Sequence, residues 1–95
     1  MSGRNTITQE DIDYLMNTAK KEVITVGDKT TVCVVTLKNG FVITESSSCI
    51  DPSNYNEELG SKICLEKIES KLWELEGYYL QKKLYENRMF TDDMK

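Results

Sequence analysis

The sequence predicts a small α+β domain: an N-terminal helix, an antiparallel β-hairpin forming a small sheet, and a long C-terminal helix or helix pair. Three observations predict it. Apolar residues recur at helical spacing behind Thr8, a β-branched run reaches Asn39-Gly40 and resumes at Phe41, and the stretch from Glu57 to Asn87 contains no proline. The chain has 95 residues, 39% hydrophobic and 29% charged, an ordinary globular composition with room for one core. Residues 1–95 therefore read as a single domain, with 1–6 and 91–95 expected to fray.

The first helix starts at Thr8, a suitable N-cap, with Asp11 in the capping-box position and Ile7 able to staple onto Ile12. Ile12, Leu15, Met16, Ala19 and Val23 then recur at helical spacing, which predicts about three to four turns. The β-branched stretch from Glu22 to Val26 either continues that helix or forms a short strand, and Gly27-Asp28 reads as a turn.

From Lys29 to Leu37 one strand face carries Thr31, Cys33, Val35 and Leu37, and the other Val32, Val34 and Thr36. Asn39-Gly40 is a strong two-residue hairpin signal, and Phe41 to Glu45 returns as the partner strand. A hairpin with apolar residues on both faces must pack on helices or on another copy of the chain, so a homo-oligomer, at least a dimer, is expected. Ser46-Ser47-Ser48 is expected to bend, leaving hydroxyls and N–H groups to bind a ligand. Asp51-Pro52 marks a turn before the acidic first helical turn at Glu57-Glu58. Leu59, Ile63, Ile68, Leu72, Leu75, Tyr79, Leu80 and Leu84 form the expected apolar spine, and Gly77 is where the long helix would hinge.

Composition excludes several functions. Twelve Lys and Arg against sixteen Asp and Glu give a net charge of −4, unsuited to gripping duplex nucleic acid through a basic surface. No apolar run approaches the roughly 20 residues of a membrane span, and Met1 to Arg4 leads into polar sequence without a signal-peptide core, so a cytoplasmic protein is expected. Histidine is absent, which removes Ser-His-Asp and Cys-His catalysis and every zinc site that uses imidazole. Cys33, Cys49 and Cys64 include no close pair, so they read as reduced, structural thiols rather than as a metal or redox motif.

Glu66, Glu69, Glu74 and Glu76 interleave with Lys62, Lys67, Lys71 and Lys82 as a solvated helix face, and no metal or cofactor is expected. Cys49 has only Ser, Ile and Asp beside it in sequence and lacks a base to activate it. Trp73, Tyr78, Tyr79 and Tyr85 read as core or interface residues. Phe41 and Tyr55 are better ligand candidates: at a hairpin edge and in a turn, they are placed to sandwich a base while Asn54 reads its edge.

Three blocks then stand out: Leu37-Lys38-Asn39-Gly40-Phe41, Cys49-Ile50-Asp51-Pro52-Ser53-Asn54-Tyr55-Asn56, and Leu72-Trp73-Glu74-Leu75-Glu76-Gly77-Tyr78. In this order, over about residues 30 to 85, they resemble the phage Gp49-like family of small tailed-phage proteins, with the N-terminal helix outside the match. The arrangement of hairpin, Asp-Pro-x-Asn-aromatic turn and long helix is also similar to that of the Thoeris anti-defence proteins of the first type. Those act as sponges for cyclic ADP-ribose-like signals, and in some cases cyclic oligonucleotides, held between protomers.

The resemblance implies a non-enzymatic, cytoplasmic protein of the infected host that binds a cyclic nucleotide. It points to Asn54, Tyr55 and Lys71 as contacts. The family pattern calls for a basic residue after the helical glycine, where this chain has Ser61 with Lys62 next, so Lys62 is the candidate there. With Phe41, the expected ligand-binding set is Phe41, Asn54, Tyr55, Lys62 and Lys71. The competing expectations are a phage protein that inhibits a host protein by direct contact through its acidic helix surface, and a hydrolase of the signal.

Overall fold

The structure, a computed structural model, describes residues 5–91. The order is helix α1 (Gln9–Asn17), strands β1 (Lys20–Val26), β2 (Thr30–Thr36) and β3 (Val42–Ser48), a single 3-10 turn at Pro52–Asn54, and helix α2 (Glu57–Thr91). Of the ends expected to fray, residues 1–4 and 92–95 lie outside the described residues, while Thr91 closes α2.

Thr8 caps α1 as its sequence suggests. Its hydroxyl accepts from the Asp11 N–H at 3.3 Å and the Asp11 carboxylate accepts from the Thr8 N–H at 2.9 Å. Ile12 and Met16 go into the core. The helix stops at Asn17, so Ala19 and Val23 do not extend its apolar face. The β-branched run beyond them pairs along its whole length with β2 instead, and the sheet gains a third strand.

The sheet is antiparallel in the order β1-β2-β3. Val23 lies opposite Cys33, and Cys33 opposite Glu45, so the alternation of β2 sets the inner face: Thr31, Cys33 and Val35 are buried, and Val32 and Val34 are only half-buried. The β2–β3 connection differs from the expected two-residue turn. Leu37 and Phe41 close a three-residue loop, Lys38 to Gly40, in which Gly40 alone takes positive φ (93°) and the Asn39 side chain accepts from the Phe41 N–H at 3.0 Å. Ser46 to Ser48 is strand, not a bend, because it pairs with Thr30 to Val32; the Thr30 and Ser48 hydroxyls meet at 2.8 Å.

Helix α2 is continuous through Gly77. One glycine costs a helix only about 1 kcal/mol, which the neighbouring helix formers outweigh. The row that meets the sheet is Gly60, Cys64, Ile68 and Leu72, four residues apart and all buried. The expected spine is only partly in the core. Leu59, Leu75 and Tyr79 are exposed and Ile63 is half-buried, because they lie beside that row or beyond the sheet. The core therefore comprises the inner sheet face, Ile12 and Met16 of α1, and Cys64, Ile68 and Leu72 of α2. With 35 residues α2 is about 52 Å long against about 23 Å for a seven-residue strand, and the molecule measures 64 × 23 × 20 Å. The helix overhangs the sheet at the Lys38–Gly40 end.

Candidate ligand-binding site

Helix α2 runs antiparallel to β3, as successive contacts show. Lys67 Nζ donates to the Ser46 carbonyl at 2.8 Å, Lys71 Nζ lies 3.7 Å from Glu45 Oε2, and Leu75 lines one cleft with the start of β3. Where the two elements part near the Lys38–Gly40 loop, they leave a cleft of about 360 Å³ lined by Phe41, Val42, Ile43, Thr44, Lys71, Glu74 and Leu75. Phe41, in the wall of this cleft, is half-exposed. The Lys71 side chain is 47% exposed, so its pairing with Glu45 is a solvent-screened contact that an incoming anion can exchange. This cleft combines apolar wall, aromatic edge and cation.

The other end of the sheet is built differently. The Tyr55 hydroxyl sits 2.7 Å from Thr31 Oγ1 and 2.9 Å from Thr25 Oγ1, and Thr25 in turn donates to Glu57 Oε2 at 2.6 Å. The Asp51 carboxylate accepts from the Ser53 N–H at 3.0 Å and from its hydroxyl at 2.9 Å. These bonds, the backbone one first, hold Asp51 below the usual carboxylate range. Asn56 accepts from the Leu59 N–H at 3.1 Å and so caps α2. A smaller pocket of about 90 Å³ lies here, with Asn54 and Tyr55 in its wall beside Lys29, Ser47 and Cys49.

The fold thus divides the expected site residues. Phe41 and Lys71 share the cleft, Asn54 and Tyr55 share the small pocket, and Lys62 projects from an exposed position of α2 outside both. The two groups stand at opposite ends of β3, roughly 20 Å apart. Phe41 and Tyr55 therefore do not sandwich a base within one protomer, and the Tyr55 hydroxyl is already engaged.

Glu45 was not singled out from sequence. The signal for it was available, since alternation with Ile43 turns Glu45 toward the helix, and an inward acid calls for a cation opposite.

Cys33 and Cys64 are buried, and each thiol approaches a backbone carbonyl of the facing element: Ser61 at 4.0 Å and Thr31 at 3.5 Å. Burial, reinforced by the adjacent Cys64 thiol, pushes Cys33 up and away from thiolate chemistry. The Cys49 thiol donates to the Asp51 carbonyl at 3.2 Å. Although its sequence neighbours offer no cation, the fold brings Lys29 into the same pocket, where its ammonium is bonded to the Ile50 carbonyl at 3.3 Å. Among the described residues no three His, Cys, Asp or Glu side chains converge on a metal position, and no helix is long and apolar enough to cross a membrane.

The family model of the phage protein (N4 Gp49/phage Sf6 gene 66) family matches residues 5–84, which takes in α1 as well as the three motif blocks. No curated protein and no solved structure matches the chain.

Proposed function

The chain belongs to the phage protein (N4 Gp49/phage Sf6 gene 66) family, and we propose that it is an anti-defence protein that binds and sequesters a cyclic nucleotide immune signal, cyclic ADP-ribose-like or a cyclic oligonucleotide, without cleaving it. The observation that supports this reading is the pairing of Phe41 and Lys71 in one cleft of about 360 Å³. That volume lies within the range of small-molecule sites, about 300–1,000 Å³. An exposed ring face stacks on a base, and a cation exchanged from Glu45 receives a phosphate. Capture needs no general base or nucleophile, and the chain has no histidine to serve as one. On this reading Tyr55 ties the segment before α2 to the sheet through Thr25 and Thr31, Asn54 lies outside the cleft, and Lys62 lies too far along the outer helix face to reach it.

The test is to incubate the protein with a cyclic ADP-ribose isomer or a cyclic oligonucleotide, remove unbound ligand, denature the protein by heat and identify what is released by mass spectrometry. Intact ligand in stoichiometric amount is expected. Recovery of a linear product would replace sequestration with hydrolysis.

A second reading, direct inhibition of a host protein, is favoured by the outer face of the sheet, where Ile24, Val26 and Val42 are exposed beside Val32 and Val34 with no helix over them. In the same experiment it leaves the ligand unbound from the start.

A further inference from the structure

The sheet has two edges, and the fold closes only that of β3. The Leu37 N–H donates to the Phe41 carbonyl at 2.8 Å and the Cys49 N–H to the Lys29 carbonyl at 3.0 Å. With the register between them, these bonds turn the odd-numbered residues of β2 to β3 and the even-numbered ones to β1. On β3 the backbone groups that point away from the sheet therefore include the Ser46 carbonyl, and Lys67 of α2 donates to it. On β1 they are the N–H and C=O groups of Lys21, Val23 and Thr25, which have no hydrogen-bond partner among the described residues.

All seven residues of β1 are exposed, because α2 packs on β2 and β3 and α1 packs on α2. A row of unpaired strand groups is completed by water or by another strand. Devices that turn a second strand away are few here. The strand contains no proline, its register to β2 runs without a bulge, and its two lysines stand at one end, clear of Val23 to Val26.

The flanks of β1 specify what an added strand must carry. Ile24 and Val26 lie half-exposed on the outer face with Val32 and Val34, and Val23 is 40% exposed on the inner face, beyond the cover of α2. Apolar side chains of an added strand extend both surfaces. At the start of β1, Lys20 and Lys21 point to opposite faces with only Glu22 against them on the strand, a local excess of positive charge in a chain of net charge −4.

We propose that β1 is a docking edge for an extended segment of a partner protein, which adds a fourth strand to the sheet. That segment is β-branched or apolar in its middle and acidic where it passes Lys20 and Lys21. The edge lies across the sheet from the cleft and stands whatever ligand the cleft takes.

Amide hydrogen exchange of the full chain, followed by NMR, tests it, with peptides of about ten residues selected against the wild type from a random displayed library as the probe. In the free protein the amides of Lys21, Val23 and Thr25 should exchange fast and those of Glu22, Ile24 and Val26 slowly. A bound peptide should slow the first set by roughly tenfold or more, and methylating alternate peptide amides should abolish binding while methylating those between should not. Val23→Pro removes one outward N–H and leaves the ladder to β2 whole, so it should stay folded by circular dichroism and lose roughly tenfold or more in peptide affinity. If that variant unfolds, the methylation series on the wild type decides. Lys20→Glu with Lys21→Glu should weaken binding severalfold, most at low salt. Outward amides already protected in the free chain, a selection that yields no binder, peptides that leave those amides unprotected, or charge reversal without effect would overturn the proposal.

Discussion

The two ends of the sheet use similar residue types to opposite effect. At the Tyr55 end, the hydroxyls of Thr25, Thr31 and Tyr55 and the carboxylate of Glu57 are bonded to one another, and Gly60 brings the helix so close that a Cβ there would collide with the Thr31 side chain. At the Phe41 end a cleft opens between β3 and α2, Phe41 is half-exposed, and the cation and acid are held by one loose contact. Polar groups that satisfy one another stabilise a fold, whereas apolar and charged groups left unfinished around a cleft are available to a ligand. On the proposed function, stability belongs to the first end and binding to the second.

The strongest way to break this comparison uses one substitution at two places in the same helix. Gly60→Ala drives a methyl into Thr31, which is fully buried, β-branched and bonded to Tyr55. It should destabilise by about 1–3 kcal/mol, exceeding the gain of about 1 that alanine brings to a helix. Gly77→Ala meets nothing within 4 Å and should stabilise by about 0.5–1 kcal/mol. Chemical denaturation of both variants checks the opposite signs.

Next in size is Tyr55→Phe, which keeps the ring but leaves the buried Thr31 hydroxyl without its partner. A loss of about 1–3 kcal/mol in denaturant unfolding is expected.

Glu45→Gln probes the other end. It should change stability by less than about 1 kcal/mol, since Glu45 is half-buried but its partner Lys71 is solvent-exposed and the contact is long, at 3.7 Å. It should also tighten binding of a phosphate-bearing ligand by freeing Lys71, most visibly at low salt. Calorimetric titration at two salt concentrations reads the effect.

The smallest expectation concerns acid. The folded-state pKa of Asp51 is depressed, so its contribution to stability is complete above the ordinary carboxylate value and is lost as pH falls toward the folded one. Asp51→Asn should reduce the slope of melting temperature against pH in that acidic window, and an unchanged slope would remove the group from the account.

Much of the fold is legible in local signals. The Thr8 capping box, the alternation along β2 and the proline-free run of α2 each specify their element through nearby residues. The third strand is not. Val23 fits a helical row as well as a strand, and only the availability of β2 as a partner decides between them. The extent of β3 fails for the same reason, because serines with poor strand propensity are held by pairing with Thr30 to Val32.

The site is half-legible. Phe41 is named by its residue type and place at the hairpin and Lys71 only by the family resemblance, and their meeting depends on α2 running antiparallel to β3, which no local pattern encodes. Asn54 and Tyr55 have the right types for a ligand and the wrong surroundings, since the fold surrounds Tyr55 with threonines.

The most direct test is a calorimetric titration of Phe41→Ala and Tyr55→Phe, beside the wild type, with a cyclic ADP-ribose isomer or cyclic oligonucleotide that the wild type binds, together with thermal melts. Phe41→Ala should lose about five- to a hundredfold in affinity, the 1–3 kcal/mol of one stacked base, at an unchanged melting temperature. Tyr55→Phe should melt lower and bind as the wild type does. Wild-type affinity in Phe41→Ala with loss in folded Tyr55→Phe, or no binding of any such nucleotide by the wild type, would contradict the account.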